Sequence, residues 1–294
     1  PGLAYVLHTR PAEWPIMAAH TALGYLLAVG LSGVARGEYL GGAALGLLAW
    51  VVGLNGGTLA INSAFDRDEG DVAYLRDPPP PPAHLFGFGL GLMGAGQGLA
   101  LLLPAAFARA YAVCFALSIL YSVPPFRLKA VAGADWLINM IGFGTLTPFA
   151  GWAATGLPVD PARGMVLLAF CPLFAALYPL TQLYQMEEDR RRGDRTLALR
   201  LGVRRSLAAA VAATALALGL LVAGGVRGGW RLHASADLAR WGGIVIAGVA
   251  WGAVLLPWLA RYRVLPAAEH QRRMYLALGA WAVTDVVVAV AWGT

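Results

Sequence analysis

Long apolar runs constrain this chain more than any other feature. A helix needs about 20 mostly apolar residues to cross the roughly 30 Å hydrocarbon core of a bilayer, and about nine runs approach or reach that length. They are Ile16 to Ala35, Leu40 to Phe65, Leu85 to Leu103, Phe107 to Val123, Asp135 to Thr155, Gly164 to Tyr184, Leu207 to Val226, Trp241 to Ala260 and Met274 to Trp292. With 59% hydrophobic and only 13% charged residues, a water-soluble domain is excluded. The expected fold is all-α, a polytopic transmembrane helical bundle of about nine spans, forming one domain over residues 1–294.

Basic residues orient the bundle, because cytoplasmic loops carry the excess of Lys and Arg. With the N-terminus inside, every basic residue falls on the inner side except Arg36, Arg109, Arg163, Arg227, Arg231 and Arg240. The net charge of +6 is then the ordinary bias of a membrane protein and implies no nucleic-acid partner. Cys114 and Cys171 both sit in apolar runs, offering neither a disulfide framework nor metal-ligand spacing. No basic segment and short apolar core precede a cleavage site, so the first span itself is expected to direct insertion.

Against this apolar background, half of the acids gather in two segments at inner ends of spans. The first is Asn62-Ser-Ala-Phe-Asp66-Arg-Asp68-Glu69-Gly-Asp71, the second Gln185-Met-Glu187-Glu188-Asp189-Arg-Arg-Arg-Gly193-Asp194-Arg195. Carboxylates near hydrocarbon are costly and commonly mark function. Asn62 and Asp66, four apart, project from one helical face, with Asp68 and Asp71 following as the helix unwinds. Oxygen ligands of this kind suit Mg²⁺, which binds through a few carboxylates plus waters and substrate phosphates. A solvated acidic loop is the plainer alternative, opposed by the crowding of like charge.

In the second segment Gln185 and Asp189 share a face flanked by Glu188, and Gly193 can end the helix before Thr196 begins another turn. Its mixed sign suits a metal diphosphate, with arginines such as Arg190 and Arg195 on phosphate oxygens and carboxylates on the ion. For Arg191, Arg204 and Arg205 membrane anchoring is the better reading. A third inner segment, Leu120-Tyr121-Ser122-Val-Pro-Pro125-Phe-Arg127-Leu-Lys129, is stopped by its prolines and holds the only lysine of the chain. An ammonium beside Arg127 reads as a phosphate contact.

These three segments, in order and in register with the spans, resemble the UbiA superfamily of intramembrane prenyltransferases. The Asn-x-x-x-Asp motif, the Tyr-Ser-x-Pro-Pro-x-Arg-Leu-Lys loop and the acidic motif ending in Gly-x-Arg-Thr-Leu carry the resemblance. It implies a helical bundle with a central cavity open toward the membrane, in a prokaryotic cytoplasmic membrane, with the acidic motifs on the inner side. It also implies Mg²⁺ bridging an allylic isoprenyl diphosphate, and transfer of the prenyl group to an aromatic or other lipophilic acceptor, as in quinone, chlorophyll, haem or isoprenoid-lipid pathways. Asn62 and Asp66 would then hold one metal, Asp189 the other, and Arg127 and Lys129 the diphosphate.

The chain departs from the family pattern at three places. Gly70 stands where the first motif usually carries its last Asp, so Asp68 or Asp71 would substitute. Gln185 replaces an Asp in the second motif, leaving it a charge short unless Glu188 compensates. The basic stretch after the first motif is replaced by Arg76-Asp-Pro-Pro-Pro-Pro-Pro-Ala-His84, a stiff connector.

Catalysis of this kind ionises the diphosphate, with Asp66, Asp189 and Lys129 central, and keeps water from the allylic cation. Tyr121, Tyr178 and Tyr184 are candidates to shield that cation, although interfacial tyrosines occur without such a role. Ser122 belongs to the same substrate-facing loop. Asn139, one turn after Asp135, either orients an acceptor or bonds a neighbouring helix. The glycines at 87, 89, 91, 94 and 96 read as close helix packing rather than a nucleotide loop. Two other classes fit the residues less fully: a relative that cyclises or hydrolyses the prenyl diphosphate, and a transporter or non-catalytic membrane subunit.

Overall fold

The computed structural model describes residues 2–66 and 78–294. Asp68 and Asp71, and the connector as far as Asp77, lie outside the described residues. Among those described, regular structure is helical, with a single isolated bridge between Val131 and Arg195. The helices are α1 (Gly2–His8), α2 (Trp14–Arg36), α3 (Leu40–Leu47), α4 (Gly57–Asp66), α5 (Leu85–Ala100), α6 (Ala105–Ser122) and α7 (Ala134–Asn139), then α8 (Thr147–Ala153), α9 (Pro161–Gln182), α10 (Met186–Arg192), α11 (Leu197–Arg227), α12 (Ser235–Arg261) and α13 (Ala267–Gly293).

Seven helical stretches among the described residues are long and apolar enough to cross a membrane. The chain is therefore an all-α integral membrane protein. Two of the expected spans take another form. The third is the 16-residue α5, which ends before the turn at Leu101 to Leu103. The fifth is helical over 134–153 but widens into π-helix at Met140–Leu146, between α7 and α8. A second π-helical stretch, Leu48–Gly56, joins α3 to α4.

The chain forms two compact units. One comprises Pro1–Leu128 and Leu146–Pro158, the other Lys129–Thr145 and Val159–Thr294. In the first unit, α2 crosses α8 at Gly24 and Gly151, where a Cβ on either would run into the carbonyl of Pro148 or Thr21. The core there is Trp50, set edge-on to Phe107 and Tyr111 with ring centroids 5.9 and 6.0 Å away. Helices α4 and α5 meet through Gly57 and Gly89, each lying against the other's carbonyl oxygen. Gly89 and Gly96 thus serve close packing, whereas at Gly87, Gly91 and Gly94 nothing lies within 4 Å of a Cβ.

In the second unit α9 packs along α11 and α13, and α12 along α13. Two of its fully buried indoles find acceptors on neighbouring elements, as desolvated N–H groups usually do. Trp251 donates to Thr284 Oγ1 at 3.1 Å, and Trp258 to His270 Nδ1 at 2.8 Å. Val245, Val249, Val286 and Val290 stay exposed, the face such helices present to lipid.

Candidate functional site

The first acidic motif is built on a polar ladder between α4 and α6, inside the first unit. Thr58 Oγ1 donates to Ser118 Oγ at 2.9 Å. One turn on along both helices, Ser122 Oγ donates to Asn62 Oδ1 at 3.3 Å. A further step brings the Arg127 guanidinium to Asp66 Oδ1 at 3.4 Å. Residues four apart share a helical face, so 58, 62 and 66 on one helix meet 118 and 122 on the other in sequence. Each neutral rung contributes about 1 kcal/mol, and together they align two side-chain oxygens at the end of α4.

The third rung depends on how α6 stops. Val123 leaves helical geometry at φ −93°, ψ 130°, as residues before proline do. Pro124 and Pro125 follow, joined by a cis peptide bond. The Arg127 amide then returns to the Val123 carbonyl at 3.1 Å, and Arg127 takes a left-handed φ of 37°. A non-glycine residue in that region costs roughly 1–3 kcal/mol and is found where surroundings over-determine it. Here the guanidinium is drawn back onto Asp66, whose side chain is only 15% exposed. Lys129 lies two residues on, half-buried, in a short turn of 3-10 helix at Leu128–Ala130. Tyr121 is half-buried near the end of α6.

The second acidic motif belongs to the second unit. Helix α9 ends at Gln182, and α10 starts after Gln185, whose backbone at φ −99°, ψ 0° begins the new turn. Asp189, one turn on, is buried and its amide bonds the Gln185 carbonyl at 2.9 Å. Gly193, at φ 77°, ends α10, and Thr196 opens α11. The Asp194 amide returns to the Asp189 carbonyl at 3.0 Å, and Thr196 Oγ1 donates to Asp189 Oδ2 at 3.4 Å. Tyr184 and Gln185 are half-buried. Glu188 is exposed, as is Arg190, which pairs with Glu187 at 2.6 Å. Arg195 is also exposed, its backbone bridging Val131 in parallel.

Asn139 is buried and donates to the Asp135 carbonyl of its own helix at 2.8 Å. Asp135 itself bonds Gln182 of α9, so this polar pair joins neighbouring elements of the second unit. Sequence reasoning passed over Thr58, Ser118 and Gln182, and saw Thr196 only as a helix start. The signal for the first two was present, since small hydroxyls recur four residues before Asn62 and Ser122. It named Tyr178 but not the aromatic row that Tyr178 joins in the second unit, where Phe174 stacks on Phe143 at 5.5 Å and Tyr178 at 6.3 Å, with Trp281 edge-on at 5.8 Å.

The donor set fits Mg²⁺. Among the described residues no group of three or more His, Cys, Asp or Glu side chains gathers to hold an ion. Each motif instead presents one or two oxygen side chains: Asn62 with Asp66, and Asp189 with Gln185 nearby in sequence. Mg²⁺ keeps several waters and is commonly held by one or two carboxylates together with substrate phosphates. A soft metal would need thiolate or imidazole ligands, and Cys114 and Cys171 lie elsewhere, on α6 and α9.

The fold agrees with solved membrane proteins. A UbiA homolog from Archaeoglobus fulgidus bound to DMAPP and Mg²⁺ superposes with a TM-score of 0.71 at 18% identity, covering 96% of this chain and 99% of that one. A digeranylgeranylglyceryl phosphate synthase gives 0.71 at 14% identity, covering 98% and 97%. A UbiA homolog from Aeropyrum pernix K1 gives 0.64 at 19% identity, covering 97% of each. A search of curated protein sequences finds no significant match. The model of the UbiA prenyltransferase family matches residues 17–282, nearly the whole chain, and the chain belongs to that family.

Proposed function

We propose that this protein transfers a prenyl group from an isoprenyl diphosphate to a lipophilic acceptor, with Mg²⁺ as cofactor and residues 1–294 acting as one catalytic domain. The observation that carries this reading is the ladder ending in Asn62, Asp66 and Arg127, which sets metal-type oxygens beside a phosphate-type cation. Support comes also from family membership and from relatives bound to DMAPP or GPP with Mg²⁺.

Asn62 and Asp66 hold one Mg²⁺, and Asp189, with Gln185 and Glu188 as further oxygens, holds another. When bound, Mg²⁺ neutralises charge on the departing diphosphate. Arg127 and Lys129 take phosphate oxygens, the guanidinium by its planar fork and the ammonium as a point charge. Arg190 and Arg195 add positive charge near the second motif, and Ser122 keeps Asn62 oriented. Tyr121, Tyr178 and Tyr184 present π faces, each worth about 0.5–2 kcal/mol to a nearby cation. The acidic motifs face the cytoplasm, the side that the basic loops favour. The acceptor is an aromatic or other apolar molecule entering from the bilayer.

The test is to incubate purified protein with labelled geranyl, farnesyl or geranylgeranyl diphosphate, Mg²⁺ and a panel of lipophilic acceptors, following diphosphate release and product mass. Transfer that is lost in Asp66→Ala and Asp189→Ala is the expected result. Diphosphate release without transfer would identify a cyclase or hydrolase. No Mg²⁺-dependent binding or turnover, with both variants indistinguishable from wild type, would refute the enzyme reading.

A further inference from the structure

Thr196 occupies the N-cap of α11, where a threonine ordinarily turns its hydroxyl onto the second or third amide of its own helix. It makes no such bond. Its hydroxyl goes instead to Asp189 Oδ2, at 3.4 Å. The amides that open α11 are met from other elements of the same unit. Leu197 N donates to Asp135 Oδ2 at 3.3 Å, and Ala198 N to Gln182 Oε1 at 3.1 Å.

The two acceptors also hold each other. Gln182 Nε2 donates to Asp135 Oδ2 at 3.0 Å, and the Gly133 amide to Asp135 Oδ1 at 2.8 Å. Asp135 is 0% exposed, Gln182 7%, Thr196 7% and Asp189 5%. A buried cluster of this kind is specific because every alternative leaves a polar group unpaired. The opening turn of α11 is short, since Gly202 breaks its geometry at φ 74°.

We infer that Asp135 and Gln182 are positioning residues for Asp189. By capping α11 from α7 and α9, they release the Thr196 hydroxyl to orient the Asp189 carboxyl. This rests on the proposed role of Asp189 as a Mg²⁺ ligand. Outer groups that orient a metal-binding side chain commonly change metal affinity about 10- to 100-fold when removed. A cap that served the helix alone would change stability and leave metal affinity untouched.

The probe is Mn²⁺, which shares the oxygen-ligand preference of Mg²⁺ and is read by electron paramagnetic resonance in the presence of geranyl diphosphate. Thr196→Val is expected to raise the half-saturating Mn²⁺ concentration about 10-fold, and Thr196→Ser to restore it. Asp135→Asn and Gln182→Leu are expected to shift it in the same direction. Combining Asp135→Asn with Thr196→Val should be no worse than the weaker-binding single variant, because both act through one contact. If Asp135→Asn does not fold, Gln182→Leu and the Thr196 pair carry the same comparison.

Variants that melt earlier yet keep wild-type Mn²⁺ affinity would overturn the inference, as would effects that multiply in the double variant. Wild type that binds no Mn²⁺ with the diphosphate, or Asp189→Ala that binds it normally, overturns the assignment of Asp189 and this inference together. Binding that is lost in Asp189→Ala but indifferent to Asp135, Gln182 and Thr196 overturns this inference alone.

Discussion

Gly89→Ala and Gly91→Ala differ by one methyl group two residues apart on α5, and the structure expects opposite signs for them. A Cβ on Gly89 would lie 2.8 Å from the Gly57 carbonyl oxygen, 2.8 Å from Ile61 Cγ1 and 3.1 Å from the Ile61 amide. Carbon and carbonyl oxygen normally approach to about 3.3–3.6 Å, so the helices must part by roughly 0.5 Å. Two of the three atoms are backbone of α4 and cannot step aside as a flexible side chain could. Overpacking of this kind costs about 1–3 kcal/mol. Gly91 has nothing within 4 Å of its Cβ. Exchange of a mid-helix glycine for alanine contributes about 0.5–1 kcal/mol of stability. That gain is common to both variants, so their difference isolates the clash, at about 1–3 kcal/mol. Unfolding in mixed detergent micelles with increasing sodium dodecyl sulfate, followed by circular dichroism, measures it. Ile61 immediately precedes Asn62, so Gly89→Ala should also raise the Mg²⁺ concentration needed for half-maximal activity while Gly91→Ala does not. Equal midpoints for the two, or a less stable Gly91→Ala, would refute the packing argument.

Other outcomes follow from the ladder and the motifs. Thr58→Val combined with Ser118→Ala should show a coupling of about 0.5–1 kcal/mol in the same unfolding assay; purely additive losses would mean the rung contributes nothing. Arg127→Ala should raise the half-saturating concentration of geranyl diphosphate by about 10-fold or more, the effect of losing a charged hydrogen bond, and Arg127→Lys should restore only part, because the bidentate fork is gone. Gln185→Asp should lower the Mg²⁺ requirement by supplying the missing charge, measured as the half-saturating Mg²⁺ concentration; an unchanged requirement would count against a ligand role for residue 185.

Asn62 and Asp66 were legible because a four-residue spacing on a helix is a local property, and the structure keeps them at the end of α4. Gly193 and Thr196 were legible as a helix stop and start for the same reason. The job of the Thr196 hydroxyl was not. A threonine at an N-cap has two nearby uses, and the choice turns on Asp135 and Gln182, 61 and 14 residues earlier in the chain, meeting the amides at 197 and 198. Asn139 shows the same limit: its spacing from Asp135 was evident, but whether the pair faced a ligand or another helix depended on where α9 runs.

Hydropathy and helical period, both properties of contiguous residues, determined by themselves that this chain is an all-α membrane protein carrying two acidic motifs and a proline-stopped basic loop. The tertiary structure alone decided which of five closely spaced glycines touch a neighbour, that the fifth expected span widens into π-helix where Gly144 meets the Phe170 carbonyl of α9, and which amides Asp135 caps. Those outcomes depend on the approach of helices distant in sequence, where a buried hydrogen bond or a missing Cβ has a partner that no local pattern names.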